Sequence, residues 1–214
     1  MSNKKIVLIV TEGETDDLFY RKIMDILKKK IPGNRFCVDD LDYICIKGFG
    51  NFDSKLISLY KAHVKKICSE FNKNEDKVKA KDIEKYVFLC YDHDVFEGKK
   101  KPPIDWKKIE KELRKIKGTN VYHIVANRMI EDFILLDFDG VLRFLRISKS
   151  KINPKNYKSL EGLKKLYKLA NKAYIKGEKS ESLINHLDFE LIESKICSQL
   201  SQLCQIVGVK CKHK

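Results

Sequence analysis

Residues 6–10 read Ile-Val-Leu-Ile-Val, an unbroken apolar run dominated by β-branched side chains. A strand with no polar position has no face to give to water, so it must lie in a sheet covered on both sides. Similar runs recur at Leu41 to Lys47, Glu84 to Tyr91 and Val121 to Ala126. The segments between them are spaced for helices. Glu14 to Ile31 carries Leu18, Phe19, Ile23, Ile26 and Leu27 on one face, and Pro32-Gly33-Asn34 ends it. Gly48-Phe49-Gly50-Asn51 makes a turn before a helix over Phe52 to Phe71. Pro102-Pro103 opens a helix with Trp106, Ile109, Leu113 and Ile116 at 3-4-3 spacing, and Met129 to Phe138 follows the fourth strand. Strand alternating with helix predicts an α/β fold, with a parallel sheet of about four strands and helices on both faces.

After Gly140 the strand signals stop. Val141 to Ile147, Leu160 to Ala173, Glu181 to Leu187 and Phe189 to Val207 all read as helix, the last with Ile192, Ile196, Leu200, Leu203 and Val207 on one stripe. The expected division is an α/β domain over residues 1–140 and a helical C-terminal extension over 141–214. No apolar run is long enough to span a bilayer, and no signal-peptide pattern opens the chain. The 7 cysteines include no Cys-x-x-Cys pair and no disulfide framework, which predicts a reducing cytoplasm.

The carboxyl ends of the strands in an open parallel sheet form its binding crevice. Two of these ends are acidic. The first strand runs into Thr11-Glu12-Gly13-Glu14-Thr15-Asp16, the third into Tyr91-Asp92-His93-Asp94. Extended backbone points Asp92 and Asp94 the same way and His93 the other. Glu12, Asp92 and Asp94 are therefore expected at one edge, close enough to share a hard cation such as Mg²⁺, with Mn²⁺ as the alternative. The positive end of a helix dipole accounts for Glu14 and Asp17, whereas Asp16 has the option of projecting back toward the crevice. The formal net charge of +14 favours a phosphate-bearing partner, although lysine-rich surface solvation explains it equally well. Lys99, Lys100 and Lys101 follow Asp94 and are candidates to hold a nucleic-acid backbone. Gly48 to Asn51 is a candidate phosphate cradle or simply a tight turn.

An apolar strand followed by Glu-Gly-x-Thr-Asp, with a later apolar strand ending in Asp-x-Asp, resembles the TOPRIM domain of topoisomerases, primases and small nucleases. Thr-Glu-Gly-Glu-Thr-Asp is most similar to the compact bacterial RloB-like and OLD-type nucleases, many of them associated with defence against phage. The resemblance covers roughly residues 4 to 140 and implies a Rossmann-like sheet and metal-dependent cleavage of nucleic acid. It also implies that Glu131, in Asn127-Arg128-Met129-Ile130-Glu131-Asp132-Phe133, joins Glu12, Asp16, Asp92 and Asp94 as a metal ligand. Arg128, three residues before Glu131, is a separate candidate to stabilise phosphoryl charge. The zinc module of primases, the tyrosine module of topoisomerases and the ATPase loop of OLD proteins have no counterpart in the chain.

The function expected on these grounds is a Mg²⁺-dependent nuclease acting on DNA or RNA, with Glu12, Asp92, Asp94 and Glu131 catalytic, and with a partner protein from the same operon as a candidate associate. The alternative is a basic nucleic-acid-binding or sensor subunit without turnover. A phospho-acceptor domain with Asp92 as acceptor fits less well, because no lysine follows a fifth strand.

Overall fold

The computed structural model describes residues 4–31, 36–73, 79–93, 104–126, 129–177 and 180–210. Four strands form one wholly parallel sheet: β1 (Lys4–Thr11), β2 (Asp40–Cys45), β3 (Ile83–Asp92) and β4 (Thr119–Ala126), in the order β2-β1-β3-β4. The chain leaves β1 in one direction to form β2 and returns to the other side for β3. The crevice between the ends of β1 and β3 is thus the topological switch point.

The two-residue period of the central strands separates two apolar layers. Val7 and Ile9 of β1, Phe88 and Cys90 of β3, and Ile124 and Ala126 of β4 face one layer. Leu8 and Val10, Val87 and Leu89, and Val121 face the other. The second layer is closed by α2 (Asn51–Ser54), α3 (Leu56–Lys73) and α4 (Trp106–Arg114), through Phe52, Leu56, Tyr60, Val64, Ile109 and Leu113. Sequence spacing gives α2 and α3 as one helix; the chain breaks at Lys55.

The first layer is larger. It holds α1 (Glu14–Lys29) and α5 (Ile130–Ile134), and a single 3-10 turn carries α5 into α6 (Phe138–Leu145). It also holds α7 (Ser159–Leu169), α8 (Glu181–Ile184), α9 (Phe189–Ile196) and α10 (Ser201–Val207). Phe19 of α1 packs against both Phe133 of α5 and Phe189 of α9, with ring centroids 5.9 and 5.2 Å apart. The C-terminal helices therefore complete the same apolar layer as α1 and the sheet. The apolar stripe over 189–207 predicts one helix, but the backbone forms two. Gln199 N–H bonds to Ile196 O and Ser201 N–H to Ser198 O, so the ladder tightens to i→i−3 while Leu200 stays buried. Among the described residues no helix is long and apolar enough to cross a membrane.

A shared core makes a specific demand on stability. Ile192 is fully buried in the layer that also contains Phe19 and Phe133. Ile192→Ala is expected to cost about 2–5 kcal/mol and to lower one cooperative melting transition of the whole chain. Calorimetry checks this. A separate low-temperature transition for the C-terminal helices, with the remainder unchanged, would contradict it.

Candidate functional site

The first layer reaches the carboxyl edge of the sheet and becomes acidic there. The period that turns Phe88 and Cys90 into this layer turns Asp92 into it as well. Asp92 is 7% exposed, and its Oδ1 accepts the backbone N–H of Ile130 at 2.7 Å. That bond ties the end of β3 to the first turn of α5. Glu131 follows Ile130 and is completely buried. Asp16 lies in the first turn of α1 on the stripe that continues through Phe19, Tyr20, Ile23, Met24 and Leu27, and is only 8% exposed. Glu12 lies directly beyond β1, where its carbonyl accepts the Gly48 N–H at 2.8 Å. Gly13 leaves room at this corner: a Cβ there would stand 3.3 Å from Asp16 Oδ2.

Glu12, Asp16 and Asp92 line a cavity of about 320 Å³, together with the Glu14, Lys47 and Lys176 side chains. Glu131 adjoins it through Lys176, whose Nζ lies 3.3 Å from Glu131 Oε1 and 3.9 Å from Asp92 Oδ2. The Tyr174 hydroxyl donates to the same Glu131 oxygen at 3.1 Å, while Glu131 Oε2 is buried with no hydrogen-bond partner among the described residues.

The segment carrying Tyr174 and Lys176 is fastened to α1. Gly177 N–H donates to Thr15 Oγ1 at 2.8 Å, and the Ser180 hydroxyl donates to Gly177 O at 2.6 Å. With its own proton committed, Ser180 Oγ is left to accept from the Thr15 hydroxyl at 3.0 Å. Gly177 has φ of +88°, and a Cβ there would stand 3.1 Å from Glu14 Oε2. Only glycine takes both the left-handed turn and the close approach easily.

Burial and mutual repulsion dominate the electrostatics. Burial, then Glu12, pushes the Asp16 carboxyl up to about 7, against the lowering effect of Lys176. Burial, then Asp16, pushes Asp92 up to about 8. Burial opposes the charge of Lys176, but Glu131 and Asp92 hold its pKa above the ordinary lysine value. Burial and Glu131 raise the Tyr174 hydroxyl far above its usual range, so it stays a donor. The Lys176 ammonium thus bears on three carboxyl groups, Glu131, Asp92 and Asp16.

Among the described residues, no three carboxylate, imidazole or thiol groups stand close enough to enclose a metal ion as they are now arranged around Lys176. The donor chemistry nevertheless fits a hard divalent cation. The groups are oxygen acids in excess of the local positive charge, and one buried oxygen, Glu131 Oε2, has lone pairs that no hydrogen bond uses among the described residues.

The sequence-expected residues divide as follows. Glu12, Asp16, Asp92 and Glu131 come together. Asp94, Lys99, Lys100, Lys101 and Arg128 lie outside the described residues. His93 is exposed at the end of β3. The Gly48 to Asn51 segment is a tight turn: Gly48, Asn51 and Phe52 N–H groups bond to Glu12, Gly48 and Phe49 carbonyls, and Asn51 Nδ2 closes the turn on Ile46 O and Lys47 O. Those N–H groups are not available to cradle a phosphate. Tyr174, Lys176 and Gly177 were not expected, since they belong to a polar stretch with no motif. No protein-family model, curated protein or solved structure matches the chain.

The raised carboxyls set a pH dependence. Between the ordinary carboxyl value of 3.8 and about 8, the folded chain keeps protons at Asp16 and Asp92 that the unfolded chain has released. Stability therefore falls as pH rises through that window. In chelating buffer, the melting temperature of the parent should fall more steeply from about pH 5 to pH 8 than that of Asp92→Asn, which retains the Ile130 N–H acceptor but cannot ionise. Equal slopes in the two proteins would contradict the repulsion.

Proposed function

We propose that this chain is a divalent-cation-dependent nuclease of the TOPRIM kind, hydrolysing nucleic-acid phosphodiesters at the crevice between β1 and β3. The observation that carries the reading is that Glu12, Asp16 and Asp92 line one acid-rich pocket, with the buried Glu131 joined to it through Lys176. They come from the end of β1, the start of α1, the end of β3 and the start of α5. Folding places such groups together at a cost in desolvation and repulsion, which a ligand of opposite charge offsets.

Glu12, Asp16, Asp92 and Glu131 would hold the cation, with Asp94 added by resemblance. A bound Mg²⁺ or Mn²⁺ would supply Lewis-acid polarisation of the phosphodiester and activation of a water. Glu12, beside the cavity mouth, is suited to accept a proton from the attacking water. Lys176 offers a positive charge to a non-bridging phosphate oxygen, and Thr15 and Ser180 fix the segment that carries it. The Tyr174 hydroxyl orients Glu131 through Oε1. Service in phage or mobile-element defence follows from the resemblance alone.

One observation favours the non-catalytic alternative. Lys176 already bridges Glu131 and Asp92, so the acids have an internal counter-charge. A domain with this lock could bind nucleic acid without turning it over.

The deciding experiment incubates end-labelled single-stranded DNA, duplex DNA and RNA with the full chain, with and without Mg²⁺ or Mn²⁺. Cation-dependent cleavage is expected, and Asp92→Asn should lower its rate by about 10²-fold or more. Glu131→Gln should lower the rate sharply with little change in substrate affinity. If neither variant alters the rate, the activity lies elsewhere. If binding occurs with no cleavage under any cation, the sensor reading replaces the nuclease.

A further inference from the structure

A second cavity, of about 670 Å³, opens between the end of α6, the end of α7 and α8. Its lining contains Arg143, Arg146, Lys172 and His186 and no acidic residue. Arg143 is 68% exposed, and its nearest carboxylate oxygen, Asp137 Oδ2 at 3.9 Å, already accepts the Asp188 N–H at 2.7 Å. Arg146 and Lys172 have no carboxylate within 4 Å among the described residues; Lys172 Nζ instead lies 5.4 Å from the Phe144 ring centroid. Arg146 and Lys172 therefore share the cavity with no ion-pair partner among the described residues, and Arg143 adds a guanidinium held by one long ion pair to Asp137.

Backbone and aromatic groups shape the same cavity. Arg146 closes α6 with φ 58° and ψ 38°, and Asn171 follows α7 with φ 55°. Glycine normally takes the residue after a helix in this conformation, and an arginine there carries a local cost. Arg146 nevertheless lines the cavity. His186 is exposed, and its Nδ1–H donates to Ser182 O at 2.7 Å, which fixes the ring with Nε2 directed away. Its centroid is 5.1 Å from that of Phe144.

A chain of packed side chains links the wall of this cavity to the acidic crevice. Phe144 packs on Tyr167, Tyr167 packs on Tyr174 at 5.2 Å, and Tyr174 reaches Glu131. Lys172 lines one site and Lys176 the other. Four residues of extended chain span at most about 14 Å, or about four nucleotides at the ~3.4 Å stacked spacing of one strand.

We propose that this cavity is a docking site for single-stranded nucleic acid. Arg143, Arg146 and Lys172 hold backbone phosphate, and a base lies against the His186 ring beside Phe144. Only the cavity's role in presenting a strand to the acidic crevice rests on the nuclease reading; the binding itself needs no turnover.

The test is fluorescence anisotropy of labelled 12-residue oligo-dT and oligo-U, and of a duplex, on the full chain in chelating buffer across a salt series. Arg146→Gly suits the left-handed backbone, so it should hold or raise the melting temperature while weakening single-strand binding several-fold. Arg143→Gln/Arg146→Gln should weaken it about tenfold or more and reduce the slope of log K against log salt by about 1.4, for two lost single-strand contacts. His186→Ala should weaken binding with the salt slope unchanged. The dT and U arms distinguish DNA from RNA. Lys107→Gln/Lys111→Gln, on the exposed face of α4, removes the same charge elsewhere and should leave affinity within about twofold.

Equal losses in that control and in the arginine pair would overturn the site in favour of diffuse charge. Unchanged binding in the arginine pair, or tighter binding of duplex than of single strand, would overturn it too. Loss of cleavage in Asp92→Asn concerns the nuclease reading alone, and loss of binding in the arginine pair concerns the docking site alone, so the two readings fail separately.

Discussion

The arrangement at the carboxyl edge of the sheet turns on one electrostatic problem: three nearly buried carboxyl groups, Asp16, Asp92 and Glu131, stand close to one another beside the half-buried Glu12. Coulomb repulsion in such a place is several times stronger than at the surface. The chain answers it in two ways. Asp16 and Asp92 retain protons near neutral pH, and Lys176 brings an ammonium to Glu131 and Asp92. The hydrogen bonds of Gly177 and Ser180 to Thr15 and the left-handed turn at Gly177 all serve to hold that ammonium in place.

The helices beyond residue 140 gain their meaning from this requirement. They bury α1 from the side opposite the sheet, through Phe189, Ile192 and Leu203, and they suspend the segment that carries Tyr174 and Lys176 over the strand ends. Packing and electrostatics are therefore joined. The apolar layer that fixes α1 also fixes the reach of Lys176 into the crevice.

Much of this was legible in the sequence, and the remainder was hidden for physical reasons. The five-residue apolar run at Ile6 betrays a central strand because burial on both faces leaves a compositional mark. Asp92 reads as a site residue because it ends such a strand. Asp16 was visible too: it stands three, four and seven residues before Phe19, Tyr20 and Ile23, on the stripe that α1 buries. Glu131 stood out only through resemblance, since an acid in a helix's first turn is ordinary. Lys176 left no trace, because its partners are set by tertiary packing and its neighbours are polar. The break between α9 and α10 was masked because apolar periodicity reports burial, and Leu200 stays buried across a tightened turn.

The pairing of Gly177 and Ser180 with Thr15 has a consequence for how the chain can be divided. The acids come from the first two-thirds of the sequence and their counter-ion from the last third. A fragment ending near residue 170 would keep every carboxylate and lose the Lys176 ammonium, together with the packing of Phe189 on Phe19 of α1. Such a fragment would be a poor building block for a fusion or a shuffled gene. The two portions are bound to travel together through any rearrangement, even though only the first carries a recognisable motif.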